Sequence, residues 1–154
     1  MKVEKDYLEF LRLLNKHRVK YCIIGSYAVA FYGHPRYTKD IDILIERDLA
    51  NARRLLKALV EFGFGSLDLK AEEFTSPESI IQLGYEPVRI DIVTSIRGVN
   101  FKKIWAKRQK GRYGDIKVNF ISLQDLKRLK RKFGRLIDKS DLEFLEKMAR
   151  AKKG

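Results

Sequence analysis

The 154-residue chain is short of the residues that staple or metallate small proteins. Its one cysteine, Cys22, excludes an internal disulfide and a Cys-rich zinc site. Two histidines, His17 and His34, leave a His-based zinc centre without its usual ligands. No apolar run approaches the roughly 20 residues of a membrane span. The leading MKVEKDYLEF is charged and amphipathic from the start, unlike a secretory signal. A cytoplasmic protein with no membrane partner is therefore expected. With 45% hydrophobic residues the chain can build a core, and its length suits a single domain over 1–154.

Acidic charge is scarce, and only in one part of the chain. Residues 1–99 carry 15 Lys/Arg against 14 Asp/Glu, whereas residues 100–154 carry 18 against 6. The last third thus supplies nearly all of the formal net charge of +13. Such a basic region attracts phosphate-bearing partners such as nucleotides or RNA. A Lys-rich solvated surface is the plainer explanation, and charge alone does not choose between them.

The hydrophobic pattern predicts alternating helices and strands. Tyr7, Phe10, Leu11 and Leu14 give residues 4–17 a helical stripe. KYCIIG (20–25) reads as a buried strand with Cys22 in the core. SYAVAFYG (26–33) reads as a short helix opened by Ser26 and closed by Gly33. HPRYTK (34–39) is a connecting loop, DIDILIE (40–46) a strand, and 48–62 a helix capped by Asp48. Residues 63–79 read as irregular with a short strand. Residues 80–95 read as a hairpin with strands 80–84 and 88–94 and Glu86-Pro87 near its turn. A helix over 100–109, a strand or small hairpin over 112–122, and helices over 122–133 and 138–153 complete the chain. The core is expected over about 1–121 and a basic helical part over about 122–154.

Two acids interrupt an apolar run in DIDILIE. A strand sends residues i and i+2 to one face, about 6.6 Å apart along its axis. Asp40 and Asp42 then share a face while Ile41 and Ile43 point into the core. Paired carboxylates of this kind suit Mg²⁺ or Mn²⁺; a wet edge strand is the common alternative. Asp91, between Ile90 and Ile92, places a third acid in another β-branched run. If the two strands are neighbours, three carboxylates can hold two divalent ions for in-line phosphoryl transfer. Gly25-Ser26, between a strand and a helix, offers close backbone approach and a hydroxyl to a phosphate. Alone it is equally an ordinary turn and cap. Arg36 and Thr38 precede Asp40 by four and two residues and are placed to reach a phosphate or orient a ligand, or to serve only as loop residues.

With these pieces in order, the chain resembles the nucleotidyltransferases of the DNA polymerase β superfamily. More narrowly it resembles the small nucleotidyltransferases related to the AbiEii toxins. The likeness rests on GSYAVAFYGHPRYTKDIDIL, on DIVTSIRGVNFKKIW, and on Lys130, Gly134-Arg135, Asp138 and Asp141. It runs from about residue 7 to 146. Ser26 stands where the subgroup often has a second glycine, and Leu136-Ile137 where Pro-Lys is common.

The resemblance implies an α+β nucleotidyltransferase fold, a mixed central sheet with helices packed on it and helices at the C-terminus. It implies a metal-dependent enzyme using two Mg²⁺ or Mn²⁺ ions and an NTP such as ATP. Asp40, Asp42 and Asp91 would be catalytic and metal-binding, and Gly25, Ser26, Arg36, Thr38 and Lys130 nucleotide-binding. The acceptor hydroxyl would belong to tRNA, another RNA or a protein, in a toxin–antitoxin-like setting with a possible antitoxin partner. Asp138 is expected to pair with Arg135 or cap its helix. The alternative is a non-catalytic nucleotide- or RNA-binding partner that retains the fold.

Overall fold

The structure, a computed structural model, describes residues 2–35 and 37–153, the side chains of 149–153 excepted. Elements follow in the order α1 (Lys5–Lys16), β1 (Tyr21–Ile24), α2 (Gly25–Phe31), β2 (Asp40–Ile45), α3 (Leu49–Leu59), β3 (Ile80–Leu83), β4 (Arg89–Val93), α4 (Phe101–Ala106), β5 (Gln109–Tyr113), β6 (Ile116–Phe120), α5 (Leu123–Phe133) and α6 (Leu136–Lys153). The strands form one mixed sheet in the order β3-β4-β2-β1-β6-β5. β2 and β4 are parallel neighbours, as are β1 and β6; the other pairs are antiparallel. This is the α+β architecture expected. Among the described residues no helix is long and apolar enough to cross a membrane.

β1 and β2 lie at the centre because their residues are apolar on the faces that need it. Tyr21, Cys22, Ile23, Ile41, Ile43 and Ile45 are all fully buried. Each large aliphatic side chain removed from water in this way contributes about 1.5–3 kcal/mol. α1 packs with Tyr7, Phe10, Leu11 and Leu14, the predicted stripe. Two polar clamps fix the central strands. The buried Asn51 of α3 accepts from the Lys20 N–H at 2.7 Å and donates to the carbonyls of Lys20 (3.0 Å) and Glu46 (2.7 Å). At the other end, the Tyr7 hydroxyl donates to the carbonyls of Arg89 (3.0 Å) and of Lys39 (3.3 Å), the residue before β2. β2 and β4 are thereby tied together where their acids begin.

The structure corrects four sequence expectations. α2 starts at Gly25, with Ile24 at the cap position and no side-chain cap, so Ser26 does not open it. Residues 63–79 contain no strand; Gly63 at φ 121° turns the chain out of the α3 continuation, and Ala71 and Phe74 anchor the rest by burial. α4 ends at Ala106, and Gln109–Tyr113 is a strand paired with β6. Its polar QKGRY lacks alternation because β5 is a sheet edge, where charged side chains deter further pairing. α6 begins at Leu136, two residues early, because Asp138 accepts from the Arg135 N–H and closes the first turn from inside.

Candidate active site

The β2–β4 register decides the chemistry. Asp42 lies opposite Asp91, and Asp40 opposite Arg89. The strands therefore deliver Asp40, Asp42 and Asp91 to one place, with one carboxylate oxygen from each within 4.8 Å of the others. Asp91 is buried and the other two are partly exposed. Crowding so many carboxylates away from water disfavours their charged forms. Burial, then the charges of Asp40 and Asp91, push the Asp42 carboxyl up to about 7, against the pull of Lys130. Burial also raises Asp91, although Arg89 opposes it.

Arg89 was not foreseen. Its Nε and Nη2 donate to the two oxygens of Asp91 at 3.0 and 3.1 Å, and Nη2 also reaches Asp40 at 3.2 Å. One guanidinium thus joins two of the three carboxylates. The signal was available in VRIDIV, since Arg89 and Asp91 are i and i+2 on a strand and share a face.

Gly25 meets the cluster from the first position of α2, directly after β1. Its φ of +68° lies in the left-handed region, and a Cβ there would collide with the Asp42 carboxylate. Thr38 donates to Asp40 Oδ1 at 2.9 Å, holding one acid in place. Ser26 and Thr38 face a neighbouring hollow with Tyr7, Tyr27 and Tyr37 instead of the main cavity. Arg36 lies outside the described residues.

Lys130 comes from α5 and is buried. Its Nζ lies 3.1 Å from Asp138 and 3.1 Å from Asp141, both fully buried on α6. Arg135 Nε donates to Asp138 at 2.6 Å, the pair expected from the sequence. Burial works against the Asp138 carboxylate, but the hydrogen bonds from Arg135 and Lys130 outweigh it and hold it below the usual carboxylate range.

Gly25, Asp40, Asp42, Asp91 and Lys130 all line one cavity of about 600 Å³. Arg97, Lys132 and Arg135 add cations to its wall, and Ile80, Val93, Ile96 and Phe133 give it an apolar side. The volume suits a small-molecule ligand with a charged end and an apolar body.

A family described as nucleotidyl transferase of unknown function (DUF2204) matches residues 3–154. No curated protein matches the sequence. Several solved structures share the fold. A Thermotoga maritima protein described as a nucleotidyltransferase (TM1012) is 20% identical with a TM-score of 0.61, over 95% of this chain and 96% of its own. The lincosamide antibiotic adenylyltransferase LnuA, with lincomycin bound, is 18% identical with a TM-score of 0.60, over 94% and 97%. An antigenic nucleotidyltransferase-like protein of Paracoccidioides brasiliensis is 16% identical with a TM-score of 0.57, over 93% and 74%.

Proposed function

Because the chain belongs to this family of nucleotidyl transferases, we propose that it transfers a nucleoside monophosphate from an NTP to a hydroxyl of RNA, tRNA included, or of a protein. A toxin–antitoxin-like role is part of the proposal. The observation that carries it is the convergence of Asp40, Asp42 and Asp91 beside Gly25.

The donor set fits a divalent ion. It is oxygen-only, and its acids outnumber the one guanidinium that faces them. Asp40, Asp42 and Asp91 would hold two Mg²⁺ or Mn²⁺ ions, which when bound lower the pKa of the attacking hydroxyl and offset the triphosphate charge.

The remaining tasks fall to the chain's own groups. Asp91 takes the proton of the acceptor hydroxyl as its oxygen attacks the α-phosphorus. The new O–P bond forms as the bond to pyrophosphate breaks. A carboxylate raised by burial is a better base than an exposed one. Arg89 orients it. Gly25 lets the phosphates approach the backbone. Lys130 donates to Asp138 and pairs its charge with Asp141, and its ammonium has a further N–H for a phosphate oxygen. Ile80, Ile96 and Phe133 receive the base and sugar.

The test is labelled NTP with Mg²⁺ and total RNA. Wild type labels an acceptor and Asp40→Ala/Asp42→Ala does not; equal incorporation by both contradicts the proposal. The likeness to LnuA supports a second reading, a small hydroxyl acceptor. It predicts a labelled product of low mass instead of labelled RNA or protein.

A further inference from the structure

The opposite end of the sheet carries a second concave site. β1 and β6 run parallel, and Lys20 lies about 13 Å along the strand from the level of Asp42, at about 3.3 Å per residue. There Arg18, Lys20, Arg108, Lys110 and Lys117 surround a hollow of about 490 Å³ with Trp105 in its wall. Among the described residues no carboxylate lines it. Nearby cations of α1 are neutralised, Arg12 by Asp115 at 2.7 Å and Lys16 by Glu61 at 2.9 Å. In the hollow only Lys20 has an acid, Glu46 at 3.6 Å. Among the described residues Arg18, Arg108, Lys110 and Lys117 have none.

Arg108 is also held ready. Its guanidinium lies 3.7 Å over the Trp105 ring, and one Nη donates to the Trp105 carbonyl at 2.8 Å. Its buried Nε has no hydrogen-bond partner among the described residues. The aromatic face fixes the plane of the fork and leaves a donor unmatched. Five like charges around a concavity repel one another, and a polyanion removes that cost. The hollow has no exposed aliphatic cluster for lipid insertion. Asn119 adds an amide, donor and acceptor together, which suits a ribose 2′-hydroxyl.

We infer that this hollow binds the phosphodiester backbone of a single-stranded RNA segment. Its role as the holder of the acceptor strand rests on the nucleotidyl transfer proposed above; the binding itself does not.

The test is fluorescence anisotropy with labelled oligo(U) of 20 nucleotides in EDTA, without NTP. Arg18→Gln/Lys110→Gln/Lys117→Gln alters only exposed side chains. It should weaken binding at least about tenfold and lower the salt slope by about 2, at roughly 0.7 per lost phosphate contact. Lys5→Gln/Arg53→Gln/Lys57→Gln, an equal charge change at exposed sites outside the hollow, should stay within about twofold of wild type. Glu46→Gln, which unties Lys20, should tighten binding. Unchanged affinity in the first triple variant overturns the inference, as does an equal loss in the second. Equal or tighter binding of oligo(dT) or of a polyglutamate peptide overturns the choice of RNA. Because no metal or nucleotide is present, these outcomes leave the catalytic proposal standing. Intact oligo(U) binding by a wild type that incorporates no NTP would strike that proposal instead.

Discussion

Two aspartate clusters flank Lys130, which lines the cavity, and are tuned in opposite directions. Asp138 and Asp141 enclose the ammonium of Lys130, and Asp138 sits below the usual carboxylate range. Arg89 joins Asp40 and Asp91, and Asp42 beside them is pushed up to about 7. The difference lies in supplied charge. The first cluster is balanced within the protein and serves to join α5 to α6. The second is left short of positive charge, which is how a protein stores affinity for a cation it does not itself contain. Neighbouring strands hold the short cluster rigid, and a helix pair supplies the balanced one.

The largest expected effect comes from unbalancing the balanced cluster. Lys130→Met removes one cation from two buried carboxylates, Arg135 remaining on Asp138, and should cost about 3–5 kcal/mol, read as a lowered denaturation midpoint. Nucleotide binding should fall with it. Asp40→Ala should not destabilise the metal-free protein, because it relieves repulsion in the cluster that lacks charge.

Next comes pH. Asp42 has a raised folded value, so the folded state holds its proton more tightly than the unfolded chain between about pH 4 and 7. Stability of the metal-free protein should therefore fall as pH rises through that window, by about 4 kcal/mol. Asp42→Asn should flatten the fall. Asp138 gives the opposite sign: its contribution is present above the unfolded carboxylate value and is lost as pH drops through its depressed folded value. Chemical denaturation from pH 3 to 8 separates the two limbs.

Smaller effects refine the geometry. Gly25→Ala places a methyl against the Asp42 carboxylate at φ +68° and should cost about 1–3 kcal/mol, with weakened nucleotide binding by calorimetry. Thr38→Val removes the hydrogen bond to Asp40 Oδ1 and should cost about 1 kcal/mol, with less than tenfold loss of transfer.

Much of this comparison was legible in the sequence. The alternation of DIDILIE put Asp40 and Asp42 on one face, and RIDIV carried a third acid in a similar run. Their meeting was conditional on β2 and β4 being neighbours, which pairing between segments almost fifty residues apart decides. Asp138 was expected beside Arg135, but its bond to Lys130 depends on how α5 packs on α6, and short-range periodicity does not encode that. The small hairpin expected within 112–122 caught only the end of β5, because an edge strand held by backbone bonds to β6 needs no apolar alternation. Ser26 was taken as a cap from its type; the backbone enters α2 one residue earlier, through the left-handed Gly25. The far-end hollow gathers cations from the α1–β1 and α4–β5 connections and from both strands of the β5–β6 hairpin, so the count of charge along the chain showed the excess but not its shape.

One aspartate cluster is built for a divalent cation and the other is not. Calorimetric titration of Mn²⁺ into the metal-free protein at pH 8 and at pH 5.5 tests it most directly. Wild type should bind at pH 8 and at least about tenfold more weakly at pH 5.5, where Asp42 holds a proton. Asp42→Asn should abolish binding at both, and Asp141→Asn should leave it intact. Absence of binding at pH 8, or equal binding by wild type and Asp42→Asn, would contradict the account.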